Sequence, residues 1–169
     1  MRIGFDVRLT YYTGGGIARY MRHLAQEIPS LAPDLDHVQI FRRGHRLHYS
    51  EHARRIDSWV PAHHRFETTL FGLELLPHGL DILHSPDFIS PKFGARHLIS
   101  TVHDLTFLLH PEFLTEDSRH YYAGNISRTV ARADAVIAVS NATKTDLVNL
   151  LDVPPEKIHV IYEGISPRF

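Results

Sequence analysis

Thr13-Gly14-Gly15-Gly16-Ile17-Ala18-Arg19-Tyr20 stands between an apolar run, Ile3 to Val7, and a stretch in which Ile17, Tyr20, Met21, Leu24 and Ile28 recur at helical spacing. The run reads as a buried strand and the periodic stretch as a helix over 16–28. Three consecutive glycines join them. Glycine has no Cβ, tolerates positive φ and lets a ligand approach the backbone closely. A glycine turn that opens a helix aims unpaired N–H groups and the positive end of the helix dipole beyond the strand, which suits a phosphate. A tight strand-to-helix turn without a ligand is the structural alternative.

Working outward, strands and helices alternate. Pro29 and Pro33 are expected to end the first helix, and Val38 to Phe41 reads as a short strand. Residues 42–56 carry Arg42, Arg43, Arg46, Arg54 and Arg55 among histidines. A solvated loop, a basic face for an anionic membrane and part of an acceptor site are all open readings there. Ile56 to Val60 reads as strand, Thr69 to Leu76 as a short helix stopped by Pro77 and Gly79, and Asp81 to Ser85 and His97 to Val102 as strands. A longer helix over 116–133, capped by Thr115, turns Tyr122, Ile126 and Val130 inward, with Gly124 weakening it. Ala135 to Val139 is a strand. A helix over 142–151 buries Leu147, Val148 and Leu151 before Pro154-Pro155, and Ile158 to Tyr162 is the last strand. Strands alternating with helices predict an α/β sandwich with a mainly parallel sheet and right-handed crossovers. Ligands of such sheets bind beyond the carboxyl ends of the strands. The glycine loop, His103-Asp104 and Ser140-Asn141 all fall there.

Composition narrows the chemistry. At 169 residues the chain can bury a core of its own, and its net charge of -1 gives no electrostatic footprint for nucleic acid. It has no cysteine, which fits a reducing cytoplasm. Met1-Arg2 leads straight into a strand, so no signal peptide is expected, and no apolar run nears the ~18 residues of a membrane span. A dinucleotide fingerprint fails: Arg19 stands where its last glycine belongs, the glycines come late after Val7, and the second strand ends in Arg42-Arg43 without an acid for a ribose. A P-loop fails for want of Gly-Lys-Ser/Thr, and there is no Gly-x-Ser-x-Gly elbow. His45 and His48, or His63 and His64, lack partners at metal-site spacing, so no metal is expected.

His103 directly follows a buried strand, which puts its imidazole at the carboxyl edge. It serves there either as a strand cap or as a group that hydrogen-bonds a substrate hydroxyl or a developing charge. Asp104 holds the loop or the imidazole. Ser140 caps the helix that follows and is a secondary candidate for a phosphate or sugar contact. Arg19, one turn after the glycines, neutralises a phosphate or points to solvent.

These segments carry a family resemblance. Tyr12 to Leu24 resembles the first loop and helix of retaining glycosyltransferases of the GT-B fold, family 4, with the glycogen synthases as relatives. Thr101-Val102-His103-Asp104-Leu105 is similar to their strand-end histidine motif, Ala138 to Leu147 to the strand and helix that follow, and Val153 to Ile165 to the segment leaving the first domain. The likeness spans the chain with its motifs in order. It implies a Rossmann-like three-layer sandwich forming one half of a GT-B fold. The implied activity moves a hexose, mannose being one guess, from a nucleotide-sugar donor to a saccharide or lipid-linked acceptor, with retention and without a metal. Gly14, Gly15 and Gly16 would line the cleft near the donor phosphates, with Arg19, Asp104 and Ser140 beside them, and His103 would meet the transferred sugar. The glycogen synthases place a lysine before their glycines, where Tyr12-Thr13 stands here, which argues against ADP-glucose. The family's diphosphate-binding second half has no counterpart here, so residues 1–169 are expected to be the acceptor-side domain, inactive alone. The expected setting is the cytoplasm, with peripheral contact at the inner membrane face left open. A stand-alone α/β module that holds a phosphorylated or sugar ligand without turnover is the alternative from another class.

Overall fold

The structure is a computed structural model and describes residues 1–164. Residues 165–169 lie outside the described residues, and with them Ile165, which closes the last of the family-like segments. Seven parallel strands form one sheet: β1 (Arg2–Asp6), β2 (Asp36–Arg42), β3 (Ala53–Ser58), β4 (Leu80–Ser85), β5 (Ala95–Val102), β6 (Ala135–Ala138) and β7 (Ile158–Val160). Their spatial order is β3-β2-β1-β4-β5-β6-β7. The chain therefore moves outward from β1 to β3, then crosses back to lay β4 on the other side of β1. This reversal of direction opens a crevice at the carboxyl ends of β1 and β4. The mainly parallel sandwich anticipated from the alternation is thus present, and every strand pair in it is parallel.

Two apolar layers cover the sheet. On one face, α1 (Gly16–Leu31) packs Met21 and Ala25 against Phe5, Phe41 and Tyr49. On the other, α2 (Glu67–Leu75), α4 (Glu116–Arg132) and α5 (Asn141–Leu151) bury Phe71, Leu75, Ile126, Val130 and Leu147 against Val38, Ile40, Leu83, Leu98 and Val136. A short helix, α3 (Thr106–Leu109), bridges β5 to α4. Strand β2 is buried on both sides, which is why Val38 to Phe41 reads as an unbroken apolar run apart from Gln39. No described helix is long and apolar enough to cross a membrane.

Several boundaries differ from the sequence reading. Pro29 does not end α1 but lies within it, and the helix runs to Leu31. A proline there withholds an N–H from the Ala25 carbonyl. Gln39 Nε2 reaches over from β2 and donates to that oxygen at 2.5 Å. The centre of the buried face is Ala18, Met21, Ala25 and Pro29, while Ile17, Leu24 and Ile28 flank it half-buried. Strand β3 covers Ala53–Ser58 rather than 56–60, because pairing with β2 sets its register and an edge strand tolerates outward Arg54 and Arg55. Helix α5 ends where expected, at Leu151 before the double proline, with Asp152 closing it in the left-handed region (φ 52°). Strand β7 stops at Val160, leaving Tyr162 outside it. In the basic stretch, Arg42 donates to the Tyr12 hydroxyl and the Ser58 carbonyl, and Arg43 lies over the Trp59 ring. Arg54 pairs with Asp36, and Arg55 with Asp57 and the carbonyls of His45 and Leu47. Arg42, Arg43, Arg54 and Arg55 are therefore all engaged within the fold, and Arg55 orders the loop.

Candidate functional site at the carboxyl edge

His103 sits one residue past β5, with its side chain only 13% exposed. Its Nε2 lies 3.1 Å from the Pro86 carbonyl, beyond the end of β4, and its Nδ1 lies 3.0 Å from Glu163 Oε1. The Tyr20 ring and the imidazole meet in a T-shaped pair, 4.9 Å between centroids with the planes at 88°. The two polar contacts differ in permanence. Pro86 belongs to the buried floor, whereas the Glu163 side chain is half exposed. Nδ1 is therefore the ring atom whose partner can be exchanged, while Nε2 holds the ring to the floor.

Behind His103 runs a polar chain buried in the sheet. His84 Nε2 meets Thr101 Oγ1 at 2.9 Å, and the same oxygen meets the Tyr20 hydroxyl at 3.3 Å. Burial, with a smaller contribution from the charge of His103, pulls the His84 pKa down to about 4, so its imidazole is neutral at ordinary pH. Burial also pushes the Tyr20 phenol above its usual range, outweighing the hydrogen bond from Thr101, so it remains a hydroxyl. Tyr20 lies one turn into α1. Its contact with His103 therefore places the first turn of that helix, and the glycine loop before it, beside the imidazole.

The glycine loop is exposed. Gly15 caps α1 with φ −63° and ψ −175°, and its N–H is met by Thr13 Oγ1 at 3.1 Å. Gly14, Gly15 and Gly16 are absent from the glycines with positive φ, which are Gly44, Gly79 and Gly94. A Cβ on Gly14 or Gly16 would meet nothing within 4 Å, and one on Gly15 would meet only the Thr13 hydroxyl at 3.4 Å. Backbone conformation and internal packing therefore leave all three positions open to other residues. What glycine provides here is bare backbone facing outward at a helix N-terminus.

The remaining sequence candidates divide. Ser140 caps α5: its Oγ accepts from the Thr143 N–H at 3.0 Å and meets Thr143 Oγ1 at 2.9 Å. Thr143 Oγ1 donates in turn to the His103 carbonyl at 3.0 Å. Ser140 thus fixes the backbone of His103 through Thr143. Asp104 accepts from the Thr106 N–H at 2.9 Å and holds the loop into α3, while the imidazole finds its partners elsewhere. The Arg19 side chain is exposed and makes no ion pair among the described residues. No group of three or more His, Asp or Glu side chains among the described residues is arranged to hold a metal ion.

Sequence reasoning missed a charged cluster under the switch point. Arg8, 1% exposed, donates from Nε and Nη2 to the two oxygens of Asp6 at 2.9 and 2.8 Å, from Nη2 to Glu67 Oε1 at 2.6 Å, and from Nη1 to the Val60 carbonyl at 3.0 Å. Its guanidinium lies 3.4 Å from the Phe71 ring centroid. Burial pushes the Glu67 carboxyl up, more than Arg8 draws it down. Next to it, His63 takes φ 60° and its Nε2 meets Asp87 Oδ2 at 2.8 Å. Burial lowers the His63 imidazole, but the hydrogen bond and charge of Asp87 outweigh it and leave the pKa raised. The available signal was Asp6 inside an apolar strand with Arg8 two residues on. A carboxylate at such a position has to find a buried cation.

A parallel sheet with a switch-point crevice, a bare glycine loop at a helix N-terminus and an oriented strand-end imidazole define a Rossmann-like domain with a candidate ligand site at its carboxyl edge. The chain belongs to glycosyltransferase family 4: the profile of the family described as Glycosyltransferase Family 4 matches residues 14–169. Its fold is similar to the crystal structure of a glycosyltransferase from Rickettsia africae ESF-5, at 15% sequence identity and a TM-score of 0.54. That likeness covers 98% of this chain and 43% of the other, so the chain spans less than half the length of that relative. No curated protein matches the sequence.

Proposed function

We propose that the chain is the acceptor-side domain of a retaining hexosyltransferase that draws on a nucleotide-sugar donor and serves a saccharide or lipid-linked acceptor. One observation carries this reading. Three glycines that neither φ nor packing requires expose a helix N-terminus beside an imidazole held at the carboxyl edge. Backbone N–H groups and the dipole of α1 suit the donor's diphosphate, and Arg19, free of protein partners in the described residues, adds a charge near it. His103 Nδ1, once Glu163 gives way, hydrogen-bonds the transferred sugar or the charge developing at the reacting centre. The departing diphosphate can itself take the acceptor proton, so no protein nucleophile is called for. Family membership supports the transferase class. The hexose, the retention of configuration, the inactivity of the isolated domain and any peripheral contact with an inner membrane face belong to this proposal.

The test uses the natural polypeptide that carries this domain, screened against a panel of nucleotide sugars. With the donor found, His103→Ala is expected to lower kcat by about a hundredfold or more, while donor Kd stays within about threefold. Equal losses in both would reduce His103 to a structural role.

A further inference from the structure

Asp87, just past β4, is held at four points. Its carbonyl accepts from the Ser85 and Ser100 hydroxyls at 3.0 and 3.2 Å. Its Oδ1 accepts from the Phe88 N–H at 2.7 Å, and its Oδ2 meets His63 Nε2 at 2.8 Å. A carboxylate only accepts, so the imidazole is the donor in the last of these. The Pro86 carbonyl, 3.1 Å from His103 Nε2, belongs to the same planar peptide unit as the Asp87 N–H. Proline also fixes φ at position 86. Whatever holds Asp87 therefore holds the oxygen on which the His103 ring is set.

The two serine hydroxyls are buried and the Phe88 N–H is backbone, so none of those ties titrates. His63 differs. Its side chain is 34% exposed, against 10% for Asp87, which makes it the tie of the four that solvent and pH can reach. It also keeps φ at 60°, where glycine or asparagine would sit with less strain, and the Glu67 carboxylate pins the turn by accepting from its N–H at 2.5 Å. Asp87 faces the imidazole from the β4–β5 loop, Glu67 from α2, Arg8 from beyond β1, and the Tyr122 ring from α4 at 6.2 Å. Tyr121 beside it has its phenol pushed up by burial and then by Glu67, so it brings no charge. On the loop of His63 itself, His64 and Arg65 turn to the Phe66 ring. Burial lowers the His63 pKa and Arg8 adds to that, but Asp87 and then Glu67 outweigh them, so the ring keeps its proton above the usual histidine range.

We propose that His63 is a positioning residue of the transfer site: its Nε2–H, through Asp87 and the Pro86 carbonyl, fixes the angle at which His103 meets the substrate. The assignment rests on the transferase reading given above. A charge-assisted hydrogen bond is about twice as strong as a neutral one, so the protonated ring holds Asp87 more firmly. His103 is then best oriented while His63 carries its proton, and the floor slackens as pH rises and the proton leaves.

The test uses the natural polypeptide that carries this domain, labelled in its histidine rings. Without substrate, solvent exchange of the His103 Nε2–H, assigned by its loss in His103→Ala, reports the bond to Pro86. His63→Ala should speed that exchange about tenfold or more, and His63→Gln, which keeps an N–H for Asp87, only about threefold. In a second arm, with the donor found, kcat of the parent should fall about threefold on the alkaline side while donor KM holds. His63→Gln should start at the lower rate and lack that fall. Exchange in His63→Ala within about twofold of the parent, measured well below the Tm of each, overturns the proposal, as does an alkaline fall that persists in His63→Gln. The exchange arm needs no substrate, so a polypeptide that transfers no sugar counts against the transferase reading alone, and unchanged exchange counts against His63 alone.

Discussion

Replacing Arg8 by methionine is the sharpest perturbation of the platform beneath the crevice. Methionine is close to arginine in length and keeps apolar contact with Phe71, so the change removes charge more than volume. Lost are the two donors to Asp6, the one to Glu67 and the one to the Val60 carbonyl. Asp6 and Glu67, 7% and 2% exposed, are left in the interior without their cation. Breaking a buried ion pair from one side costs about 3–5 kcal/mol. For a chain of this size that corresponds to a fall in Tm of about 6–20 °C. Urea unfolding followed by circular dichroism reads the loss directly.

The pH dependence has a definite sign. With Arg8 gone, the Glu67 carboxyl rises further than burial already pushes it, so the folded variant binds more protons than the unfolded chain. A raised folded pKa gives stability that is present at low pH and is lost as pH rises through it. The penalty should therefore be smaller at pH 5 than at pH 8. Asp6→Asn/Arg8→Met/Glu67→Gln should recover most of the loss, because it orphans no charge. A single variant within about 1 kcal/mol of the parent at pH 7.5 would refute the reasoning, as would a penalty independent of pH.

Three further outcomes follow from the same geometry. His84, lowered to about 4 by burial, binds fewer protons folded than unfolded, so its contribution is complete above about pH 6.5 and is lost as pH falls towards 4. That loss amounts to about 3 kcal/mol, and His84→Gln should flatten the stability profile across this window; an unchanged profile would count against a neutral buried imidazole. Ser140→Ala removes the cap of α5 and should lower stability by about 1 kcal/mol, measured by urea unfolding. The third, the kinetic split expected of His103→Ala, is read by steady-state rates beside donor titration.

Much of the fold was legible because periodicity reports burial. Val38 to Phe41 announces a strand covered on both faces, Ala135 to Val139 one with a buried and a half-buried face, and Ser140 the helix it caps. The misreadings come from long-range partners. Pro29 looks like a stop until Gln39 supplies the missing donor from another element. Arg54 and Arg55 look like loop until pairing with β2 places them on an edge strand. The positions of the glycine loop and His103 were legible from their places after β1 and β5. The shell around them was not: Glu163 is 60 residues from His103, and Glu67 is 59 from Arg8. Those contacts come from the strand order, which local pattern does not encode.

The central claim is that Gly14–Gly16 expose backbone for a substrate rather than for the fold. Gly14→Ala/Gly16→Ala, made in the natural polypeptide that carries this domain, tests it most directly by measuring Tm and sugar-transfer rate on the same sample. The added methyl groups meet nothing in the chain, and alanine favours helix over glycine, so Tm should hold or rise. They stand where the donor phosphates would approach, so the rate should fall by about a hundredfold. A variant that transfers sugar within about threefold of the parent would contradict the account.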